Sequence, residues 1–468
     1  MYTQKKNSSL SKLNNLRLSI KIPLAIAGFS LICGGAATYV GLNELKSSSE
    51  NATKTAMFDK LYAKEAALQS FIENITGDLH ALADNPYIIS ATNDFTNAWR
   101  TLESNQTKYL QNLYINQNPH ETEKKYLLDA ANDGSEYSQI HAKYHPYLRE
   151  FLLENGYYDL FIVDASGNVV YSAYKELDFA TNLKNGEWKD SGLAQVYTSI
   201  MAQKDAENIS FADFTPYAPS ANAPAGFIGR PIEDTDGNYI GALIYQMPID
   251  KLNAVFNDDQ MLGKTGKIMI VGQDFLLRND VRFAKEPTIL KVKVDSEEVK
   301  KALAKNSGVD FNTIDMNGSS VVSAYDNFDF IGTNYALLYQ IDNSEIMGPL
   351  ELARQHFLML TGGIVLLIGG FGALFARGIT RRINSMSNTM GVISKGDNTE
   401  VEFTENKDEI GDMARTVEIV RQNVVENTRL KLALDNASAN MMIVDENLNI
   451  VYLNPAVSNF LSGAEKDI

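Results

Sequence analysis

Two long apolar runs punctuate an otherwise mixed chain. Ile22 to Leu42 carries no charged residue, and neither does Phe357 to Ala376. Each is long enough to cross a hydrocarbon core of about 30 Å as a helix. Both are rich in small residues: Gly28, Gly34, Gly35 and Ala37 in the first, Gly362, Gly363, Gly369 and Gly370 in the second. Ala37/Gly41 and Gly369/Ala373 have the small-xxx-small spacing that allows close helix packing in lipid. After the first run, residues 43–155 predict helix. Leu, Ala, Glu and Lys dominate there, and proline is confined to Pro86, Pro119 and Pro146.

A second pattern repeats three times. LFIVDASGNVVYSA (160–173), IMIVGQDFLLRND (268–280) and MMIVDENLNIVYLN (441–454) each join two β-rich runs through a polar turn, which is a hairpin signal. Asp164, Ser166, Gly167 and Asn168 suit a tight reversal. The first copy is followed by a helical stretch, SGLAQVYTSIMAQ, then by strand candidates ISFADFTPY, GFIGRPI and NYIGALIYQM. The second is followed by a helix, VDSEEVKKALA, then by GVDFNTIDM, SVVSAYD and YALLYQI as strands. Two α/β modules are therefore expected between the apolar runs, about 156–255 and 263–345.

Beyond the second run the period changes to that of paired helices. Ile379, Ile383, Met386, Met390 and Ile393 are spaced 4, 3, 4, 3, an a/d seam. The seam breaks at Gly396-Asp397-Asn398 and resumes with Ile410, Met413, Val417, Val420 and Val424. Val401 and Phe403, in the connector, are apolar enough to pack between the helices. Such a seam buries little in a lone chain, so a homodimer is expected. The second helix should continue to Leu434.

Flanking charge sets an orientation. Lys5, Lys6, Lys12, Arg17 and Lys21 precede the first run, and Arg377, Arg381 and Arg382 follow the second. Both clusters belong in the cytoplasm by the positive-inside rule, which puts residues 43–355 outside. The first run is long for the apolar part of a cleaved signal peptide. Composition narrows the rest. In 468 residues the net charge is −16, which disfavours nucleic acid as a partner. The lone cysteine, Cys33, excludes an internal disulfide and a thiol-rich metal site.

The seam and connector, with Asp408-Glu409-Ile410-Gly411 at the start of the second helix, resemble a HAMP domain, a parallel four-helix bundle made by two chains. Arg382 stands where that family often has proline. The stretches YSAYKELDFATNL, DFTPYAPSANAPAGFIGRPI, LLRNDVRF and PTILKVKVDSEEVKKAL resemble double Cache sensors of bacterial chemoreceptors and membrane nucleotide cyclases. LALDNASANMMIVDENLNIVYLNPAV resembles the start of a cytoplasmic PAS domain, shorter than a whole one, so the chain reads as a fragment or truncated product. Together these imply the N-terminal part of a methyl-accepting chemotaxis receptor.

The fold class that follows is an α+β membrane receptor. Residues 1–21 are a cytoplasmic N-terminus, 22–42 and 357–376 cross the bacterial inner membrane, and 43–355 form a periplasmic double Cache sensor whose helical part is 43–155. Residues 377–430 form HAMP and 431–468 begin a PAS domain. The resemblance implies a small-molecule ligand outside, signal passage through HAMP, and, in an intact protein, a coupling protein and a histidine kinase as partners. It implies no enzymatic activity and no cofactor. The same front end also occurs as the sensory half of membrane histidine kinases and nucleotide or diguanylate cyclases, which remains the alternative.

No catalytic constellation is visible. His141 and His145 lie one helical turn apart, but without an evident third ligand a packing role is favoured over a metal site. Asp234 and Asp236 sit in a DTDGN turn that lacks the later Glu of a calcium loop. The resemblance places the ligand site in the first module. Its candidates are Tyr171, Tyr174, Trp188, Asp213, Tyr217, Phe227 and Arg230. Aromatic rings would wall the site, Asp213 would meet an ammonium and Arg230 a carboxylate. Trp188 is followed by Lys189, so the Trp-Tyr pair of the family's amino-acid binders is lacking. The relay candidates are the seam residues, Val401, Phe403 and Glu409.

Overall fold

The computed structural model describes residues 18–464, apart from 104, 204, 206 and 258–261; the basic residues before Arg17 and Arg17 itself lie outside that range. The chain divides into two compact units. One is Leu45–Leu352, and the other holds the stretches on either side of it.

In the central unit, the later part of helix α1 (Leu18–Ala83) supplies one wall. Met57, Leu61, Leu68, Ile72, Ile75, Leu79 and Leu82 are buried along it at helical spacing. The helix stops before Asn85, whose side chain accepts from the Tyr87 amide at 2.8 Å and caps α2 (Pro86–Thr101), with Pro86 in the first turn. A short helix α3 (Gln106–Gln111) and α4 (Glu136–Asn155) complete the helical layer expected over 43–155. Gly156 ends α4 in the left-handed conformation, at φ 62°.

The first module is a five-stranded antiparallel sheet in the order β2-β1-β5-β4-β3. Its strands are β1 (Asp159–Asp164), β2 (Val169–Ser172), β3 (Ser210–Tyr217), β4 (Ala223–Glu233) and β5 (Tyr239–Gln246). One face packs on the helical layer through Leu160, Ile162, Tyr171 and Tyr245. The other packs on α5 (Gly192–Gln203) through Phe161, Val163, Phe227 and Ile244. Both faces are covered, which is why these strands read as nearly continuous apolar runs.

A helix α6 (Ile249–Asn257), absent from the sequence reading, leads to the second module. Its sheet runs β6-β9-β8-β7, with β6 (Lys267–Val271), β7 (Gly308–Ile314), β8 (Ser320–Phe330) and β9 (Thr333–Asp342), and α7 (Glu297–Leu303) packs on it. The hairpin expected at 268–280 is only half formed. Its second run makes isolated bridges, Val271 to Leu277 and Leu276 to Lys293, instead of a strand. The first and third copies turn on Asp164 and Asp445, whose Oδ1 accepts two backbone amides each. The second has Gly272 there, and the chain turns instead through Phe275 at φ 66°.

In the outer unit the apolar part of α1 meets helix α8 (Asn343–Ile393). Gly34 faces Val365, Gly41 faces Phe357 and Gly372 faces Ile26, each so close that an added Cβ would clash at 2.6 Å. Of the small pairs, Gly41 lies at a contact and Gly369 does not. Both helices are long and apolar enough to cross a membrane, and almost none of either apolar window is buried in protein. Helix α8 runs unbroken through the first seam. After a connector comes α9 (Glu409–Asp435), then the hairpin β10 (Met442–Val444) and β11 (Ile450–Leu453), and α10 (Pro455–Ala464). Asn454 is fully buried and ties this hairpin to the end of α9, donating to the carbonyls of Leu434, Ala437 and Ala439.

Candidate functional site

The seven ligand candidates do not converge on one spot. Tyr171 is fully buried on the helical face of the sheet, its hydroxyl 2.7 Å from His145 Nδ1. Tyr174 is half-buried and stacks on Tyr158. Trp188 is half-buried and donates to the Leu177 carbonyl at 3.1 Å. Arg230, 2% exposed, donates to Asp84 at 3.0 Å. Asp213 is held by Arg278 of the second module and by the Tyr335 hydroxyl at 2.5 Å. In this arrangement its carboxylate ties the two sheets together, so the expectation that it meets an ammonium does not fit the geometry. Tyr217 and Phe227 do fall together, ring to ring at 4.8 Å on the α5 face.

A polar cluster that the sequence reading passed over lies beside those two rings. Tyr217 donates to Asp178 Oδ2 at 2.7 Å. Asp178 is fully buried, and burial, reinforced by Asp159 and Glu176, pushes its carboxyl well above the usual range. Asp159 is also fully buried. Burial raises its carboxyl to about 7, although Ser172 and backbone amides stabilise the charge. Glu176 accepts from the Ser220 and Tyr158 hydroxyls, and burial raises it too. Buried carboxylates are costly unless paired, so their grouping makes this end of the sheet a candidate site. The sequence signal was the charged run Lys175-Glu176-Leu177-Asp178 between apolar strands.

His141 and His145 are both fully buried, their rings stacked at 4.4 Å. His145 uses both ring nitrogens, on Tyr171 and on the Tyr126 carbonyl. Burial, then the neighbouring Lys175 ammonium, drives it down to about 2, so it is a neutral core residue. Among the described residues no group of three or more His, Cys, Asp or Glu side chains is placed to hold a metal. Asp234 serves its turn, accepting from the Asp236 and Asn238 amides. The second module has an open cleft of about 700 Å³ lined by Lys264, Arg282, Phe283, Thr288 and Asn317. Its deepest lysine, Lys267, is spent on Asp315.

The relay candidates divide by burial. Met386, Ile393 and Val401 form a core with Ala414, and Phe403, Ile410, Val417 and Val424 pack against it. Ala414 lies between expected seam positions and was missed. Ile379, Ile383 and Val420 are half-buried, while Met390 and Met413 are 39% and 52% exposed. Asp408 caps α9 by accepting from the Gly411 amide at 2.9 Å and also pairs with Arg382 at 3.0 Å. Glu409 is exposed in the first helical turn, where an acid suits the helix dipole.

Comparison with known proteins agrees with this layout. A Cache domain family model matches residues 40–350, and a HAMP domain model matches residues 374–426. The chain belongs to the Cache domain family. It is 20% identical over 415 residues to the "Probable chemoreceptor y4sI" of Sinorhizobium fredii, covering 87% of this chain and 51% of that protein. It is 60% identical over 42 residues to the methyl-accepting chemotaxis protein McpB of Pseudomonas aeruginosa, covering 9% of this chain and 6% of that one. The chain thus spans about half the length of the first relative. Among solved structures, the ligand-binding domain of the Pseudomonas fluorescens chemoreceptor CtaA with L-isoleucine matches at 10% identity and TM-score 0.36, covering 65% of this chain and 97% of that one. The sensory domain of the Campylobacter jejuni chemoreceptor Tlp3 with isoleucine bound matches at 14% identity and TM-score 0.37, covering 64% and 97%.

Proposed function

We propose that the chain is the sensing and relay part of a dimeric bacterial chemoreceptor in the cytoplasmic membrane. The observation that carries this is the order of parts. A Cache region at 40–350 is bracketed by two apolar helices, and the second of them runs without a break into the HAMP seam. The Cache region is a double one, outside the membrane, and binds a small molecule in the first module. Ligand favours one of two arrangements of the helices that leave it, and the HAMP four-helix bundle of the dimer passes that bias on. The hairpin after α9 begins a PAS domain. A coupling protein and a histidine kinase are the partners in the whole receptor, and the chain itself performs no catalysis.

The test is a chimaera joining residues 1–430 to the signalling rod of a characterised chemoreceptor, expressed in cells lacking receptors. A compound in a broad metabolite panel should change their swimming bias. Membrane-inserted chimaera that answers to no compound would sink the reading.

A further inference from the structure

Asp159 opens β1 and Gln246 closes β5, and the two are register partners, so their Cβ atoms share one face about 5 Å apart. Phe227 on β4 is the next partner across from Gln246. Two residues along their strands, Phe161 and Ile244 belong to the apolar cluster under α5, which fixes the face. The segment after β2 brings Glu176 and Asp178 to the same end of the sheet. There Asp178 meets Tyr217, and Glu176 meets Ser220 and Tyr158. Two lysines act on these carboxylates, Lys125 on Glu176 and Lys175 on Asp159. The Lys175 ammonium donates to the Ala173 carbonyl at 2.9 Å, and burial lowers it to about 7.

Hydrogen-bond accounting separates these groups. Asp159 is saturated: Oδ1 accepts from the Leu160, Ala173 and Tyr174 amides and Oδ2 from the Ser172 hydroxyl. Asp178 is not. Its Oδ2 serves Tyr217, but Oδ1 has no partner in a residue with no exposure. Ser220 gives its single proton to Glu176, so toward Gln246 it acts as an acceptor. That fixes the amide. Nε2 faces Ser220 at 3.3 Å, and Oε1 is left unmatched at 2% exposure. Gln246 Oε1 is an acceptor on an uncharged side chain, and Asp178 Oδ1 becomes one when its carboxyl is ionised. A buried acceptor without a donor costs on the order of 1–3 kcal/mol. Two at the same end of one face, beside buried carboxyls, suit a partner that is rich in N–H donors and cationic, since a cation would hold Asp178 ionised.

We propose that Asp178 and Gln246 hold the ammonium group of a small organic amine, with Tyr217, Phe227 and Tyr158 as its aromatic surroundings. An ammonium brings three donors and a positive charge, and aromatic faces attract it. This rests on reading the Cache region as a small-molecule sensor.

The experiment follows thermal unfolding of the full chain in detergent micelles. The probes are small primary amines and diamines, set against alcohols and carboxylates of the same carbon skeletons. At least one amine should raise the melting temperature saturably, while its alcohol counterpart does not. Asp178→Asn, nearly isosteric, should weaken that amine at least tenfold. Gln246→Leu should also weaken it, and it carries the test if the Asn variant fails to fold. An amine that stabilises wild type and variants equally overturns the proposal. If only carboxylates or neutral compounds stabilise, the amine assignment falls and the sensor reading stands. If no class of compound stabilises the chain, both fall.

Discussion

Arg278 grips Asp213 with two prongs across the two sheets: Nε lies 2.9 Å from Oδ1 and Nη2 lies 2.7 Å from Oδ2. Asp213 sits on β3 of the first module, and Arg278 follows β6 of the second. The guanidinium is 5% exposed and also holds Asp274, while Tyr335 adds its hydroxyl to Asp213. A buried, two-pronged pair of this kind is costly to break from one side, because it strands the remaining charge.

Arg278→Leu should therefore destabilise the Leu45–Leu352 unit by about 3 kcal/mol. The more telling readout is cooperativity. Wild type should unfold in one transition, and the variant in two, as the sheets part company. A variant melting in a single, unshifted transition would show that the clamp does not join them.

What the sequence revealed and what it hid follow from the range of the interactions. The first and third hairpins were visible because each turn is made locally. Asp164 and Asp445 reach amides only two and four residues ahead, and the second copy is weaker where Gly272 replaces the acid. The seam was visible for the same reason of short period. Asp213 was read as a ligand contact, and no local pattern could show its partner in the structure, Arg278, which lies 65 positions away. Asp178 and Gln246 could not be paired by any local pattern, since strand register sets Gln246 beside Phe227 while the segment after β2 carries Asp178 to Tyr217. Ala414 was passed over because a small residue reads as neutral until the opposite helix is seen to approach it.

Burial of His145 predicts a pH effect with a definite sign. Its imidazole, beside Lys175 and bonded to Tyr171 and the Tyr126 carbonyl, is held down at about 2, against 6.5 for an ordinary histidine. Between those values the unfolded chain binds a proton that the folded chain refuses. Stability is thus fully present above 6.5 and is lost as pH falls below it. Going from pH 7.5 to pH 5, wild type should lose about 2 kcal/mol more than His145→Asn, measured by urea unfolding of the Leu45–Leu352 unit. Parallel losses in the two proteins would mean that His145 takes up its proton in the fold.

The division of the seam by burial predicts where two chains meet. Met386 and Ile393 are consumed inside one protomer, whereas Met390 and Met413 keep their apolar side chains exposed. Exposed a/d residues on neighbouring helices need a second chain. In a background with Cys33→Ser, Met390→Cys and Met413→Cys should cross-link to covalent dimers in membranes under mild oxidation. Glu409→Cys, on an exposed position outside the seam, should do so much more slowly. Equal rates at all three would argue for random collision instead of a dimer seam.

Gly411 gives the relay its sharpest steric test. The backbone of α9 passes so close to the connector that an added Cβ would sit 1.9 Å from the Asn406 carbonyl oxygen. The obstacle is backbone, so no rotamer change relieves it. Asp408 simultaneously fixes the Gly411 amide, and Arg415 holds the same Asn406 carbonyl at 2.7 Å. Gly411→Ala must therefore push the connector away from the start of α9, dragging Val401 and Phe403 out of the core they share with Met386 and Ala414. Insertion of the receptor and ligand binding should survive, since the central unit is untouched. Cross-linking at Met413→Cys should drop severalfold, and the chimaera's output should lock in one state whatever ligand is supplied. A Gly411→Ala chimaera that still switches with ligand would mean that this close approach is incidental to the relay.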